Sequence, residues 1–593
     1  MGGPPYDCLA NPLGAVRFTF EKSVSSGSDP ASFDGKDWGA LDLFRHILSD
    51  PAALAQVPIL NPSTIRWLRP NILVRFQGMI QDMLGNEFYV GACKDGSVWR
   101  TNKYTDFCQF PMGSSPDMRI WERRLLYCVP VPGRNSWTES FSEVAMKRFM
   151  DWASQQREKR RRMEDEDPNH MDLQVTDDDY KSSPTAKKMR EDGDPSSSSH
   201  SQNSMIVDAP SGLHTLADAD RNFLPCLVKV YDTPESDLKL NDVLEFVGIL
   251  TFDSDLPVDE YDNDESSGGL GEEELVRLPP SKVPRLHCLF SRKLELHDFL
   301  TGSPKELKPH LIKEIREALL MHLTTILGND SVAAHFMLLH LLSRIHARAD
   351  GIAVGKLSLN LTHLSKEGMS IFGTRLSHFV KNLLPFTHCI PLTLEYLNSA
   401  SLAPKKDYEL NRLIPGTLQL AEGSHVIFDE TQLQAGTLNS VGVENARLLK
   451  NLMEYQKVEY DFKYYKMEMT TNVLLLIFSE GKSNIMPADL VIPFQSSRAD
   501  SFGVPGAEAL EAWRWYLTTV RSLPHSIESE MQKVVESDLV AARQADRSLG
   551  SQDFSRWLTM ARLMSLSFGE SSLSLEHWQM VMELDRLRRD RLK

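Results

Sequence analysis

The sequence predicts a β domain followed by an α/β domain with a helical tail. Short runs of alternating apolar and polar residues occupy the first 133 positions. Strand-like and helix-like segments alternate from residue 296 to 500, and amphipathic stretches with helical spacing fill 501–593. At 593 residues the chain is too long for one core and fits about three or four domains. Its 41% apolar content supports globular folding, and no apolar run approaches the roughly 18 residues that span a bilayer, so no membrane association is expected.

In the first unit, Trp38–Leu48 has apolar residues at helical spacing and stops at Ser49-Asp50-Pro51. Ile72–Ile80 alternates, Gly85-Asn86 reads as a turn, and Glu87–Ala92 resumes the alternation; Arg124–Val129 supplies a further strand before Pro130 and Pro132. Strands this short point to a small antiparallel barrel or sandwich, with an OB-like fold as first choice. Such barrels bind single strands through aromatic side chains, here Phe76, Phe88, Tyr89, Trp99 and Tyr104. A net charge of −16 weighs against that use, because nucleic-acid affinity comes chiefly from Lys and Arg neutralising phosphates. Core packing is the preferred role for those rings, and protein partners are preferred to direct nucleic-acid contact.

Residues 134–223 change character. Arg157–Arg162 (REKRRR) runs into EDED, and Ser196–Ser199 follows, a composition that cannot bury enough apolar surface to fold. It reads as a linker carrying two basic clusters, Lys159, Arg160, Arg161 and Arg162, then Lys187 and Lys188, which fit a nuclear import signal as well as a solvated charge run. Order resumes at Leu224. Cys226–Tyr231, Val243–Thr251 and Arg285–Leu294 are strand-like, Asn241-Asp242 is a turn, and an acidic insertion spans Asp253–Glu274. Residues 224–295 either complete the first barrel or add a second.

Beyond them, Leu307–Leu327 and Val332–Ile345 read as helices, Lys356–Leu361 as a strand, Thr374–Leu384 as a helix and Ile390–Leu397 as a strand. A strand at His425–Phe428, a helix over 442–456 and a strand at Asn472–Phe478 continue the alternation, which implies a mainly parallel sheet covered on both faces. Four helices close the chain, and Trp513, Trp515, Trp557 and Trp578 on them read as core. Seven scattered cysteines (Cys8, Cys93, Cys108, Cys128, Cys226, Cys288, Cys389) without a CxxC pair read as reduced thiols rather than a zinc site or a disulfide frame. The start, MGGPPYDCLANPLG, has no basic segment leading into an apolar core, so secretion is not expected, and Tyr6 occupies the place where myristoylation wants Ser or Thr.

The stretch with most chemical content is Pro415–Glu430, PGTLQLAEGSHVIFDE. A buried strand delivers Asp429 and Glu430 to its carboxyl end, where open α/β sheets bind ligands and where an Asp can hold Mg²⁺ while a Glu polarises water. A bare Asp-Glu at a strand end is more often a solvent cap. The segment is similar in order and spacing to the Walker B region of the minichromosome maintenance (MCM) helicases, so residues 296–500 resemble a degenerate AAA+ domain and 501–593 its helical lid. The phosphate loop, Gly-x4-Gly-Lys-Ser/Thr after a strand, is missing. THLSKEGMSIFGTR follows the Leu357–Leu361 strand instead, with Lys366 lacking its Gly and Ser/Thr neighbours; Gly351-x3-Gly355-Lys356-Leu357 is one residue short and precedes its strand. The strand at 472–478 ends in Ser479-Glu480 rather than the sensor Asn, and no Ser-Arg-Phe-Asp finger occurs. Asp429 and Glu430 therefore stand without phosphate contacts, no catalytic, cofactor or metal residue is assigned, and the domain reads as a scaffold.

The chain closely resembles the MCM-binding protein family, in its plant branch, over nearly its whole length. The resemblance rests on Asn11–Gly14, Met79–Met83, Glu87–Tyr89, Tyr127–Gly133, Cys226–Tyr231, Lys406–Tyr408, Asn411–Leu413, Asp429–Thr431, Gln456–Val458, Tyr460–Phe462 and Ser479–Gly481, in that order. It implies a nuclear, non-catalytic partner of the MCM subunits. Such a protein takes the place of one ring member, escorts new subunits, helps remove the ring from chromatin in S phase and supports sister-chromatid cohesion. Two alternatives remain at this stage: a weak AAA+ ATPase relying on Lys366 or Lys356, and a single-strand binder using the barrel.

Overall fold

The computed structural model describes residues 8–34, 36–106, 117–138, 224–252, 283–300, 308–496 and 503–593. The linker from 139, both basic clusters (Lys159–Arg162 and Lys187, Lys188), the acidic insertion and Cys108 lie outside them.

The chain enters through a helix, Pro12–Ser25, whose first turn explains the Asn-Pro-Leu-Gly run. The Asn11 side chain accepts the Gly14 amide at 3.0 Å, and Pro12 has no amide to leave unpaired. This helix and Ala40–Leu48 bury Phe20 and Phe44 against Trp121, Tyr104 and Tyr89 on the flank of a barrel. The barrel is built from β1 (Leu73–Asp95), β2 (Val98–Thr101), β3 (Met118–Val129), β4 (Cys226–Val230), β5 (Val243–Thr251) and β6 (Arg285–Lys293). Sheet order is β2-β1-β3-β4-β6-β5, and β5 returns to pair with β1. The strands after 224 thus close the barrel begun before 133, and all pairs are antiparallel except β4 with β6.

Gly85-Asn86, expected as a turn, lies inside a strand of 23 residues. Three register shifts against β3, at Ile80/Asp82, Met83/Gly85 and Val90/Ala92, bend β1 so that its first half pairs with β5 and its second half with β3. Gly85 sits at one of them with φ +90°, a conformation a β-carbon would strain. A turn residue and a bulge residue carry the same sequence signature, and the long-range pairing decided between them.

The α/β body adds β7 (Ala347–Ala349), β8 (Ile352–Val354), β9 (Leu359–Thr362), β10 (Thr387–Pro391), β11 (Lys405–Asp407), β12 (Arg412–Ile414), β13 (His425–Asp429), β14 (Lys457–Asp461), β15 (Lys466–Thr470), β16 (Leu474–Phe478) and β17 (Leu490–Pro493). Strands β10-β13-β16-β9-β17 form one sheet, parallel throughout. Alternate residues serve opposite faces. Ile427, Leu476 and Phe478 join the core beneath Pro309–Ile326, Ser331–Leu342, Thr374–Leu383 and the C-terminal helices, whereas Val426, Phe428, Leu475 and Ile477 pack against Ser440–Tyr455. Trp513, Trp515, Trp557 and Trp578 are buried in the first of these cores.

The strand expected over 390–397 is divided. Strand β10 ends at Pro391, and Thr393 caps a helix, Leu394–Ser399, by accepting the Tyr396 amide at 3.0 Å. The strand expected from Lys356 begins only at Leu359. A four-stranded sheet, β12-β11-β14-β15, was not expected at all, because its strands are too short and too polar to alternate visibly.

Barrel and body meet along a polar seam. At the first bulge of β1, Gln81 Nε2 donates to the Leu413 carbonyl at 2.5 Å and Asp82 Oδ2 accepts the Leu413 amide at 2.6 Å. Gln419 Nε2 donates to the Gln81 carbonyl at 2.9 Å, and Asn241 Nδ2 donates to the Tyr460 hydroxyl at 2.8 Å. The Arg412 guanidinium lies 4.5 Å from the centre of the Tyr127 ring. Beyond Val129 the chain stays on the body instead of leaving as a linker at Arg134. Gly133 (φ +64°) passes against His388, the Asn135 amide donates to the Pro385 carbonyl at 2.8 Å, and Trp137 Nε1 donates to the Lys381 carbonyl at 3.0 Å.

Replacing Asp82 with Ala leaves the buried Leu413 amide without an acceptor. The expected cost is about 1–3 kcal/mol, read as a lower urea midpoint, and an unchanged midpoint would mean that the seam contributes nothing to stability.

Candidate functional site

The site to be tested is the carboxyl edge of the parallel sheet, where β9, β13 and β16 end beside one another. In an open α/β sheet the amides after the first such strand are the groups that receive a ligand's phosphates. Here they face protein. The His363 amide donates to the Glu480 carbonyl at 3.0 Å and the Leu364 amide to the Ser479 carbonyl at 3.1 Å, while Ser479 returns its own amide to Leu361 at 3.1 Å. Side chains continue the closure. Asn360 Nδ2 donates to Ser479 Oγ at 2.7 Å, its Oδ1 accepts the Ser483 amide at 3.2 Å, and Ser483 Oγ donates to Glu430 Oε1 at 2.6 Å. Ser365 then starts the next helix by accepting the Gly368 amide at 3.1 Å, and Lys366 lies exposed on its first turn.

Asp429 is buried and fully engaged by its own turn. Its Oδ1 accepts the Thr431 amide at 3.0 Å and the Thr431 hydroxyl at 2.6 Å, and Oδ2 accepts from Gln432 Nε2 at 3.2 Å. Burial pushes the Glu430 carboxyl above its ordinary range, opposed by the Ser483 bond. The pair acts as a clasp between β13 and the loop after β16. Among the described residues, no group of three or more His, Cys, Asp or Glu side chains is arranged to hold a metal ion. The residues present do not fit a triphosphate: the amides that would cradle it are spent on carbonyl oxygens, and the carboxylate that would hold its metal is spent on a turn.

Lys356 is not brought to this edge. It precedes β9, at the opposite end of the strand, where its Nζ lies 2.7 Å from Asp489 Oδ1; Asp489 Oδ2 also accepts the Ser358 amide at 2.8 Å. The near-match Gly351–Lys356 forms the β7–β8 hairpin and its exit.

On the barrel, Phe76, Tyr89 and Tyr104 are buried, and Trp99 is half-buried with the Arg119 guanidinium 5.0 Å from its ring centre. Phe88, 63% exposed, is the one of the five aromatic candidates open to solvent. The neighbouring cations are already matched. Arg123 and Lys229 both reach Glu87 (2.6 and 3.2 Å) and Asp106 (2.8 and 2.6 Å). His287, buried beside Asp106 and Tyr231, is pushed down to about 4 by burial. Sequence reasoning missed this cluster because its members come from four strands and the segment around Asp106; the available signal was the pair of polar residues, Glu87 and Lys229, inside otherwise apolar strands.

Residues 44–592 match the family described as "Mini-chromosome maintenance replisome factor". The chain is 63% identical over 596 residues to the "Mini-chromosome maintenance complex-binding protein" of Arabidopsis thaliana, spanning 100% of both chains. Proteins of the same description from Salmo salar and Homo sapiens are 34% and 32% identical, covering 99% of this chain and 97% and 98% of their own.

Two outcomes follow for the clasp. Mg·ATP should leave the thermal midpoint of the wild type and of Asp429→Asn unchanged, and a saturable rise in the wild type that the variant lacks would overturn the clasp assignment. Because the folded state holds the Glu430 proton more tightly than the unfolded chain does, stability from this group falls as pH rises from the unfolded carboxylate pKa, about 4.3, through the folded one. Glu430→Gln should therefore be more stable than the wild type near neutral pH, with the difference closing on acidification, as measured by urea titrations at several pH values.

Proposed function

The chain belongs to the mini-chromosome maintenance replisome factor family, as a plant member, and from that premise we propose that it is a non-catalytic binding protein of the MCM helicase acting in DNA replication. The relatives' shared description as complex-binding proteins supports the partner. The single observation that carries the non-catalytic part is the closed edge of the sheet. The His363 and Leu364 amides are bonded to Glu480 and Ser479 and Asp429 caps Thr431, which supports a body that receives no nucleotide there.

Two finer assignments belong to this reading. The five-strand parallel sheet with a helical C-terminal unit is taken as a degenerate AAA+-like domain and lid. The closed barrel with one parallel pair is taken as OB-like. AAA+ neighbours associate head to tail, so a relative with one usable face would join MCM subunits without closing a ring. Escort of subunits, unloading of the ring from chromatin in S phase, a contribution to cohesion and residence in the nucleus follow as parts of the same proposal.

The competing single-strand reading finds little support in a barrel whose rings are mostly core and whose cations Arg123 and Lys229 are paired internally. The test is a pull-down of individual MCM subunits by the purified full chain with EDTA and no nucleotide. Retention by the wild type and by Asp429→Asn alike is the expected result. Retention that requires Mg·ATP, or oligonucleotide affinity lost on Phe88→Ala, would replace the proposal.

A further inference from the structure

The four-stranded sheet ends in an open edge. Strand β15 has β14 on one side and, among the described residues, no strand on the other. Which of its backbone groups face outward follows from the two ends of the β14–β15 hairpin. The Phe462 amide donates to the Tyr465 carbonyl at 3.0 Å, and the Thr471 amide donates to the Gln456 carbonyl at 2.9 Å. Hydrogen-bonded pairs alternate along an antiparallel ladder, so Tyr460 with Met467 and Val458 with Met469 are the bonded pairs between those ends. On the far side of β14 the Asp461 amide donates to the Pro404 carbonyl at 2.9 Å, in keeping with the same alternation. Lys466, Glu468 and Thr470, all exposed, therefore direct their N–H and C=O groups away from β14.

The two faces of the strand differ. Cross-strand partners share a face, so Tyr465, Met467 and Met469 continue the row of Phe462, Tyr460 and Val458. Val458 and Tyr460 are buried in the core shared with the Ser440–Tyr455 helix, and Phe462 and Met469 pack against it. Met467 is 40% and Tyr465 59% exposed, so the apolar row runs out uncovered at the edge. On the other face the charges are matched. Lys466 Nζ lies 2.8 Å from Glu444 and 2.7 Å from Glu459, and Lys457 Nζ lies 2.8 Å from Glu468. The turn that carries the edge is fixed in place: Asp461 Oδ1 accepts the Lys463 amide at 2.8 Å, the Tyr408 hydroxyl donates to the Phe462 carbonyl at 2.8 Å, and the Tyr465 and Phe462 rings stack with centroids 5.0 Å apart. A pre-formed edge with unpaired backbone groups beside a bare apolar row is a template for one more strand.

We propose that β15 binds an extended segment of a partner protein as an added antiparallel strand. Backbone hydrogen bonds to Lys466, Glu468 and Thr470 hold the segment, and its side chains select it. Alternate positions, opposite Tyr465, Met467 and Met469, are apolar and extend the exposed row; the positions between them are polar, with a cation opposite Glu468 and a carboxylate opposite Lys466. A second copy of this chain does not fit. Two-fold pairing centred on Glu468 sets two glutamates directly against each other, pairing centred on Lys466 does the same with two lysines, and like charges directly opposite are destabilising. A nucleic-acid strand needs cations free to meet phosphates, whereas Lys457 and Lys466 are held by glutamates. The inference goes beyond the helicase reading and does not rest on it.

The test measures fluorescence anisotropy of a fluorescein-labelled capped peptide, Thr-Val-Arg-Val-Asp-Val-Thr, titrated with the full chain. The wild type should bind it saturably. In the antiparallel complex the Arg and Asp amides of the peptide face β15 and its Val amides face away. Methylating the Arg and Asp amides should therefore weaken binding by about tenfold or more, and methylating the Val amides instead should leave it unchanged. Glu468→Pro removes one outward amide and no bond to β14, a substitution that sheet edges tolerate, and should weaken binding by a similar factor, while Glu468→Gln keeps most of the affinity. The thermal midpoint shows whether the proline variant is folded; if it is not, Met467→Lys provides the readout through the apolar row. No saturable binding, equal weakening by both methylation patterns, or unchanged affinity in the folded variants would each overturn the proposal. So would displacement of the peptide by a short single-stranded oligonucleotide, or a dimer of the chain that the peptide dissociates. A negative result here leaves the retention of MCM subunits as it stands, so the two readings fail separately.

Discussion

Everything in this architecture depends on satisfying a few backbone groups where the barrel meets the α/β body. A bulge in β1 presents the Gln81 and Asp82 side chains to the body, and a buried amide or carbonyl left without a partner costs about 1–3 kcal/mol. Leu413, on a short strand some 330 residues later, has both its backbone groups satisfied there, its carbonyl accepting from Gln81 Nε2 and its amide donating to Asp82 Oδ2. Because hydrogen bonds are directional, the seam sets the angle of the two units as well as their adhesion. Apolar residues around it, Met79, Tyr127, Val129 and Phe386 among them, form a core to which both units contribute.

The same accounting governs the edge of the sheet. A nucleotide-binding domain needs amides that are unsatisfied until the ligand arrives. Here the loop after β9 lies against the loop after β16 and its amides are bonded to carbonyl oxygens, so the edge is a structural joint. Asp429 and Glu430, at the end of β13, are bonded to Thr431, Gln432 and Ser483. At the opposite end of the sheet the balance is different: the buried Arg344 Nε has no hydrogen-bond partner among the described residues.

Several runs that mark the family resemblance acquire physical roles from the seam. Met79–Met83 is the bulge, Asn411–Leu413 is the strand that answers it, Tyr127 stacks on Arg412, and Tyr460 accepts from Asn241. Asn11–Gly14 is a helix cap, and Asp429–Thr431 is the clasp. These are residue types chosen for satisfying polar groups at turns, bulges and ends.

The sequence by itself determined the longer helices and the buried central strands, since 3.6-residue spacing at Thr374–Leu383 and the unbroken apolar run at Leu474–Phe478 are local properties of the chain. It also determined that a Gly-x4-Gly-Lys-Ser/Thr loop is absent and that the tryptophans of the C-terminal helices belong to the core. Tertiary structure alone decided that Gly85 is a bulge and not a turn, that strands on either side of the linker share one barrel, and that Leu413 completes Gln81 and Asp82. Each of those outcomes is a pairing between residues far apart in the chain. Local composition carries propensity, whereas the partner of a hydrogen bond or a charge is known only once the chain has closed on itself.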